Sequence, residues 1–327
     1  MLCFEMEKTI NKSISEERSI EMENEIVLKN IQKYYGKKQA LKNISLTIHQ
    51  GMFGLLGRNG AGKTTLMKVI STLLPANGGT ASICGLALKE RAKIREMIGY
   101  LPQDFSMYGN MKVYEAMDYL GVLSGLDKKT RKQRIKELLE RVNLQENYTT
   151  KVKAMSGGMK RRLGIAQAVL HNPKVLIVDE PTAGLDPEER VRFRNLLCEI
   201  AEDRIVILST HIVGDIEATC EDIAIMNQGE IIYQGTVENL LEQAKDHLYF
   251  VEVSKIELKE IKERFLVTGM LTKGTRTEVR FISKDGKNLP ENAVLLEPNV
   301  EDAYMYLMAS MGNEQDTLEL LEKEGAK

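Results

Sequence analysis

The stretch that constrains this chain most is residues 57–65, which match the phosphate-loop pattern G-x-x-x-x-G-K-[ST] at every specified position. An apolar segment at residues 52–56 precedes the loop, and apolar residues at helical spacing follow it until Pro75. The loop is therefore predicted to join a buried strand to the N-terminus of a helix. Its glycines allow a tight turn that points backbone N–H groups at one anion, and the helix dipole strengthens the same positive field.

This pattern predicts a nucleoside triphosphate site. Its residues are Gly57, Arg58, Asn59, Gly60, Ala61, Gly62, Lys63, Thr64 and Thr65. Within it, Lys63 is expected to reach the outer phosphates, and the Thr64 hydroxyl is expected to bind Mg²⁺. The alternative is a glycine-rich turn with a surface lysine, but the complete match and the correct flanking segments favour the phosphate site.

Two acidic residues, Asp179 and Glu180, close an uninterrupted apolar run at residues 175–178. Such a run suits a strand buried on both faces of a parallel sheet, and ligands of such sheets bind beyond the carboxyl ends of the strands. Neighbouring side chains on a strand diverge, so one acid can hold Mg²⁺ while the other polarises the attacking water. A second apolar run, residues 205–208, leads to His211 at the same edge. The alternative is that these residues only cap turns.

Local patterns single out three further positions. Ser156-Gly157-Gly158 precedes a helix, and we expect it to form a second phosphate-binding helix end, although any serine cap gives a similar pattern. Tyr34 and Tyr35 lie at a strand end, where one aromatic face stacks on adenine or simply packs. Asp186 is predicted to cap a helix that begins with proline.

A cluster of large apolar residues follows Gln103. It consists of Phe105, Met107, Tyr108 and Met111. Such a cluster forms either local core or an adaptable docking surface. Its position beside Gln103 favours docking.

Length and composition predict one main domain of about 200–230 residues and a smaller one. The chain has 327 residues, of which 43% are hydrophobic and 28% charged, with a formal net charge of −2. This balance argues against a general nucleic-acid binder, and no apolar run approaches the ~20 residues of a membrane span. We predict an acidic extension at residues 1–24, a main domain at 25–241, a small α+β domain at 242–311 and a polar tail at 312–327.

With these motifs in this order, residues 25–240 resemble the ATPase subunit of ATP-binding cassette (ABC) transporters. The resemblance implies an α/β fold with a P-loop NTPase core on a parallel sheet. It also implies an N-terminal antiparallel β subdomain and a helical subdomain at about residues 104–165. The cofactors that it implies are ATP and Mg²⁺.

The resemblance also implies a role for each motif. Tyr35 matches the aromatic residue that stacks on adenine, and Gln103 the glutamine that senses Mg²⁺ and water. Asp179 matches the Mg²⁺ acid, Glu180 the catalytic base and His211 the switch histidine. Ser156-Gly157-Gly158 matches the family signature and Asp186 the loop that crosses the dimer interface. Lys63 belongs to the phosphate loop.

The implied partners are a second ATPase subunit, identical or different, and a membrane permease that docks near residues 105–123. The expected location is the cytoplasmic face of the membrane, and the C-terminal segment resembles that of exporters of drugs, peptides or lipids. One departure is that the signature has Met155 and Met159 where the family usually has leucine and glutamine. The alternative function is a soluble ABC-type ATPase that acts on nucleic acid or ribosomes, although no coiled-coil insertion supports it.

Overall fold

The computed structural model describes residues 24–311. Its strands are β1 (Ile26–Tyr35), β2 (Lys38–Ile48), β3 (Gly51–Leu56), β4 (Gly78–Ile83), β5 (Leu86–Ala87), β6 (Ile98–Leu101), β7 (Val175–Asp179), β8 (Ile205–Thr210), β9 (Asp222–Asn227), β10 (Glu230–Thr236), β11 (Leu248–Ser254), β12 (Leu266–Lys273), β13 (Arg276–Ile282) and β14 (Val294–Leu295). Its α-helices are α1 (Lys63–Ile70), α2 (Arg91–Met97), α3 (Val113–Leu123), α4 (Lys128–Arg141), α5 (Gly157–Ala168), α6 (Pro187–Ala201), α7 (Val213–Thr219), α8 (Val237–Ala244), α9 (Lys255–Arg264) and α10 (Val300–Met311).

The central sheet has six strands in the order β10-β9-β3-β8-β7-β6. Strand β3 runs parallel to β8 and β9, and β7 runs parallel to β6 and β8. Every residue of β7 and β8 is buried, which explains their continuous Val, Ile and Leu content. Because the strands are parallel, the segments after β3, β6, β7 and β8 all leave the sheet at one edge. The predicted parallel core is confirmed.

A second sheet, of order β2-β1-β4-β5, is antiparallel. Its central strand β1 pairs Ile26 with Ile48 of β2 and with Ile83 of β4. All three isoleucines are buried, so one face of this sheet contributes to the hydrophobic core. The predicted antiparallel subdomain is confirmed, and the structure adds β4, which the periodicity did not indicate.

The segment between β6 and β7 is helical, as predicted, and it contains α3, α4 and α5. Asp127 caps the N-terminus of helix α4, and its carboxylate accepts hydrogen bonds from the backbone N–H groups of Lys129 and Thr130. Ile135, Leu138 and Leu139 form its buried face.

The chain divides into two compact units between Gln234 and Gly235. In the second unit, the sheet β12-β13-β11-β14 packs with α9 around a core that includes Phe281, Val279 and Ile261. This α+β architecture matches the prediction. The division falls before the predicted boundary at residue 241 because α8 packs on α10. The domain limits themselves stay a prediction.

The predicted extension at residues 1–24, apart from Asn24, and the predicted tail at 312–327 lie outside the described residues. Within residues 24–311, every helix is too short or too polar to cross a bilayer.

Candidate active site

The phosphate loop joins β3 to α1, as predicted, and its glycines are required by geometry. Gly60 and Gly62 have φ values of 84° and 110°, which favour glycine. A Cβ atom on Gly57 would lie 2.4 Å from the Met226 carbonyl oxygen, so a side chain there would collide with the backbone. Gly62 also lacks a capping side chain for α1. The first N–H groups of this helix therefore remain available to an anion.

Lys63 folds back across the loop. Its ammonium group donates to the backbone oxygens of Gly57 at 2.5 Å and Arg58 at 3.2 Å. It also forms an ion pair with the Glu180 carboxylate at 3.1 Å, and the two side chains are only 5% and 4% exposed. The lysine is thus a buried cation held directly over the loop, which excludes the surface-lysine alternative.

A cavity of about 700 Å³ opens over the loop. It brings together the predicted Tyr35, Gln103 and Glu180 with the loop residues. The complete lining is Tyr35, Lys38, Gln39, Ala40, Lys42, Arg58, Asn59, Gly60, Gly62, Lys63, Thr64, Thr65, Gln103, Glu180, Gln228 and Gly229. Its charged groups are four cations and one carboxylate, so the cavity suits an anionic ligand. The Tyr35 ring at its rim is 49% exposed and available for stacking.

Glu180 connects the loop to β8. One carboxylate oxygen pairs with Lys63, and the other lies 2.7 Å from Nδ1 of His211. The backbone N–H of Glu180 donates to the Ser209 carbonyl at 2.8 Å. Its φ of 49° is unusual for a non-glycine residue, and such strained conformations concentrate at functional sites. The three predicted residues Lys63, Glu180 and His211 therefore form one contiguous chain of polar contacts.

Asp179 is fully buried beneath the loop. Within the described part of the chain, neither of its carboxylate oxygens accepts a hydrogen bond. Burial raises the pKa of Asp179, and the nearby Thr64 and Ser209 hydroxyls oppose this rise without reaching hydrogen-bonding geometry. A buried carboxylate that lacks donors, close to a loop hydroxyl, fits Mg²⁺.

The described residues contain no cluster of three or more His, Cys, Asp or Glu side chains able to hold a metal ion. This is compatible with Mg²⁺, which proteins usually bind through one or two carboxylates, substrate phosphates and water.

Ser156 and Asp186 are both helix caps, as predicted. The Ser156 hydroxyl accepts from the Met159 backbone N–H at 3.2 Å, and Asp186 accepts from the Glu189 backbone N–H at 2.9 Å. The two helix starts lie side by side, since a Cβ atom on Gly158 would be 2.8 Å from the Glu189 carboxylate. Neither Ser156-Gly157-Gly158 nor Asp186 lines the cavity over the phosphate loop. One chain therefore does not bring the signature and the loop into the same pocket.

The structure also explains the two methionines of the signature. Met159 contributes its backbone N–H to the cap, so its side chain does not affect this contact. Met155 is buried, and exchange between leucine and methionine conserves volume.

The turn Gln228-Gly229 is a support for the loop that the sequence prediction missed. The Gly229 N–H donates to the Ala61 carbonyl at 2.8 Å, and the Gly229 carbonyl accepts from the Lys42 N–H at 2.8 Å. Both turn residues have positive φ and line the cavity. The sequence shows a hairpin turn there, but no spacing signals its contact with residue 61.

Comparison with known proteins gives a consistent result. A family model described as "ABC transporter" matches residues 41–183. The chain is 38% identical over 229 residues to the uncharacterized ABC transporter ATP-binding protein YxlF of Bacillus subtilis (strain 168), covering 70% of this chain and 76% of that protein. It is also 38% identical over 241 residues to the linearmycin resistance ATP-binding protein LnrL of the same organism, covering 73% and 76%.

The Nod factor export ATP-binding protein I of Burkholderia lata is 34% identical over 220 residues, covering 66% of this chain and 72% of that protein. Among solved structures, the ATP-binding subunit of an ABC transporter matches with a TM-score of 0.61 and 28% identity, covering 67% of this chain and 92% of that one. A dimeric ATP-binding cassette in a post-hydrolysis state, bound to ADP and Pi, matches with a TM-score of 0.59 and 26% identity, covering 64% and 98%.

Proposed function

This chain belongs to the ATP-binding proteins of ABC transporters, and we propose that its ATP hydrolysis powers export through a separate membrane permease. Members of this family are ATPases that dimerise and work with membrane permeases. The observation that carries the proposal is the chain of polar contacts from the buried Lys63 and Glu180 to His211 at the phosphate loop. The exporter role is supported by two relatives, which are named for linearmycin resistance and Nod factor export.

In the proposed mechanism, ATP phosphates compete with Glu180 for the Lys63 ammonium, because both are anions within reach of one buried cation. The released Glu180 carboxylate then accepts a proton from the attacking water, while His211 holds its second oxygen. Thr64 and Asp179 would hold Mg²⁺, which neutralises charge on the phosphates when bound. Gln103 at the cavity rim orients the water, and Tyr35 stacks on the adenine.

The position of the signature supports the dimer arrangement that we propose. Ser156-Gly157-Gly158 and Asp186 lie outside the cavity of their own chain, so we assign them to the ATP site of the second subunit. Backbone N–H groups at the start of α5 would then contact the outer phosphates from the opposite side.

Size-exclusion chromatography with Mg²⁺ and ATP tests the shared site. The variant Glu180→Gln keeps the phosphate contacts but removes the base, so it should trap ATP and elute as a dimer. Adding Ser156→Arg to this variant should abolish the dimer, because a bulky cation would occupy the contact. A Lys136→Ala addition, at an exposed pair with Glu140 on α4, serves as the control and should leave the dimer intact. A monomer with bound ATP in the Glu180→Gln sample would contradict the shared site.

The proposed permease contact is an exposed apolar patch on and before α3, which we term the docking surface. It contains Tyr108, Tyr119, Val122 and Leu123, with exposures of 59%, 39%, 53% and 65%. Such patches mark interaction sites. Phe105 is different, because it is half-buried and its ring lies against Gly164 of α5, so it has a packing role. The permease would hold the protein at the cytoplasmic face of the membrane.

Purification of the native protein from membranes, with mass spectrometry of the bound material, tests this proposal. A polytopic membrane protein should co-purify with the wild type. Tyr108→Glu should release the membrane protein without lowering the melting temperature. The control Ile256→Glu, at an apolar side chain of the second unit that is more exposed than Tyr108, should retain the membrane protein. Retention of the permease by the Tyr108 variant would contradict the docking surface.

A further inference from the structure

Three polar side chains converge near the ends of β6, β7 and β8. In the sheet register, Tyr100 of β6 pairs with Ile177, and Asp179 of β7 pairs with Ser209 of β8. Paired residues, and residues two apart on one strand, project from the same face of a sheet. Tyr100, Asp179 and Ser209 therefore share a face. The apolar cluster on that face includes Ile177 and residues of α1, the helix that carries Thr64.

These side chains have an unusual shortage of partners. Within residues 24–311, eight buried side-chain nitrogen or oxygen atoms lack a hydrogen-bond partner, and four of them belong to Tyr100, Asp179 and Ser209. Buried polar groups without partners are unfavourable, so native proteins seldom retain them without a functional reason. Their concentration around one carboxylate indicates that they acquire partners in another state of the protein.

The hydroxyl groups are suited to be donors to Asp179. An ionised carboxylate is an acceptor only, and Mg²⁺ does not satisfy all of its lone pairs. A tyrosine phenol carries its proton at neutral pH, so the O–H of Tyr100 can donate to a carboxylate. Lys63, the nearby cation, is already paired with Glu180. The hydroxyls of Tyr100 and Ser209 therefore remain to orient Asp179.

We propose that Tyr100 and Ser209 are positioning residues, whose hydroxyls hold the Asp179 carboxylate, directly or through one water molecule, in the orientation that binds Mg²⁺. This inference rests on the proposed role of Asp179 as the Mg²⁺ acid. Groups that orient a ligating carboxylate affect metal affinity although they do not touch the metal. If Tyr100 were only a packing residue, its hydroxyl would be dispensable.

The test measures Mn²⁺ binding by electron paramagnetic resonance to the full chain with a non-hydrolysable ATP analogue. Tyr100→Phe should weaken Mn²⁺ binding by about tenfold and change the spectrum of the bound ion, and Ser209→Ala should act in the same direction. The matched control is Tyr233→Phe, which changes a buried tyrosine on β10 at the opposite edge of the same sheet. This variant should leave the Mn²⁺ affinity and the spectrum of the bound ion unchanged. The melting temperature of the nucleotide-free Tyr100→Phe protein should be equal to that of wild type or higher, because no hydrogen bond is lost.

The reference variant Asp179→Asn distinguishes a failure of the positioning role of Tyr100 and Ser209 from a failure of the Mg²⁺ role of Asp179. If it weakens Mn²⁺ binding while Tyr100→Phe and Ser209→Ala do not, the positioning role is overturned and the Mg²⁺ role of Asp179 stands. If Asp179→Asn leaves Mn²⁺ binding unchanged, the proposed metal site fails and the inference fails with it. A lower melting temperature for nucleotide-free Tyr100→Phe would also overturn the inference, because it would show that the hydroxyl has a structural partner.

Discussion

Replacing Glu180 by glutamine removes the carboxylate that pairs with the Lys63 ammonium at 3.1 Å. Both side chains are at least 95% buried. Removing one partner of a buried ion pair costs about 3–5 kcal/mol, because the other charge is left uncompensated. Lys63 still donates to the backbone oxygens of Gly57 and Arg58, so we expect the lower end of this range, about 3 kcal/mol.

This loss should appear as a lower melting temperature of the nucleotide-free protein. In a unit of this size, about 1 kcal/mol changes the melting temperature by about 2–4 °C, so Glu180→Gln should melt about 6–12 °C below wild type. ATP should reduce this difference in melting temperature, because its phosphates supply Lys63 with a new anionic partner. Calorimetry should follow the transition that shifts with ATP, since the chain contains two compact units.

The control is Glu188→Gln, an acid on α6 that is 75% exposed and pairs with Arg192. Its loss should be under about 1 kcal/mol, because exposed ion pairs contribute little. If nucleotide-free Glu180→Gln melts within about 2 °C of wild type, Glu180 does not stabilise the buried charge of Lys63. That result would refute the proposed competition between Glu180 and the ATP phosphates for Lys63.

Three further variants test other parts of the site. Thr64→Val should weaken Mg²⁺ binding, so raising the Mg²⁺ concentration should restore part of its ATPase rate; a rate that is independent of Mg²⁺ would count against the role of Thr64. Because burial raises the pKa of Asp179, its ionised form destabilises the nucleotide-free protein at pH values above that pKa. Asp179→Asn should therefore raise the melting temperature at neutral pH, with the gain disappearing as the pH falls and wild-type Asp179 takes up its proton; a gain that does not change with pH would contradict this. Gly229→Ala, at a φ of 86° and with a Cβ atom 2.7 Å from the Ala40 carbonyl oxygen, should displace the turn and lower ATP affinity in equilibrium binding; unchanged affinity would show that the turn does not support the loop.

The residues of the site that could be predicted are those that directly follow buried strands of the parallel sheet. The loop, Asp179, Glu180 and His211 each follow an apolar run, and parallel strands place the ends of such runs at one edge. This is why the sequence indicated the neighbourhood of these residues correctly. The caps Ser156 and Asp186 were also predictable, because capping depends on only a few adjacent residues.

The remaining features depend on contacts between distant segments. The bridge from Lys63 through Glu180 to His211 requires the order of β3, β8 and β7, which periodicity does not determine. Strand β12 is not predictable from its own residues, because its second half is exposed and Gly269 interrupts it, and its pairing with β13 determines its conformation. The apolar cluster after Gln103 was treated as one group, whereas the structure separates the packed Phe105 from the exposed Tyr108.

Phosphate release from ATP in the presence of Mg²⁺, measured with purified wild type and Lys63→Ala, tests whether the phosphate loop hydrolyses ATP through the buried Lys63. We expect steady hydrolysis by the wild type and a fall in rate of about 100-fold or more in the variant, because a preorganised buried cation at the outer phosphates is lost. The control is Lys42→Ala, which removes a cavity cation that pairs with Glu230 and not with Glu180. This variant should keep most of the activity. Hydrolysis by Lys63→Ala at the wild-type rate would show that the Lys63 ammonium does not act on the outer phosphates.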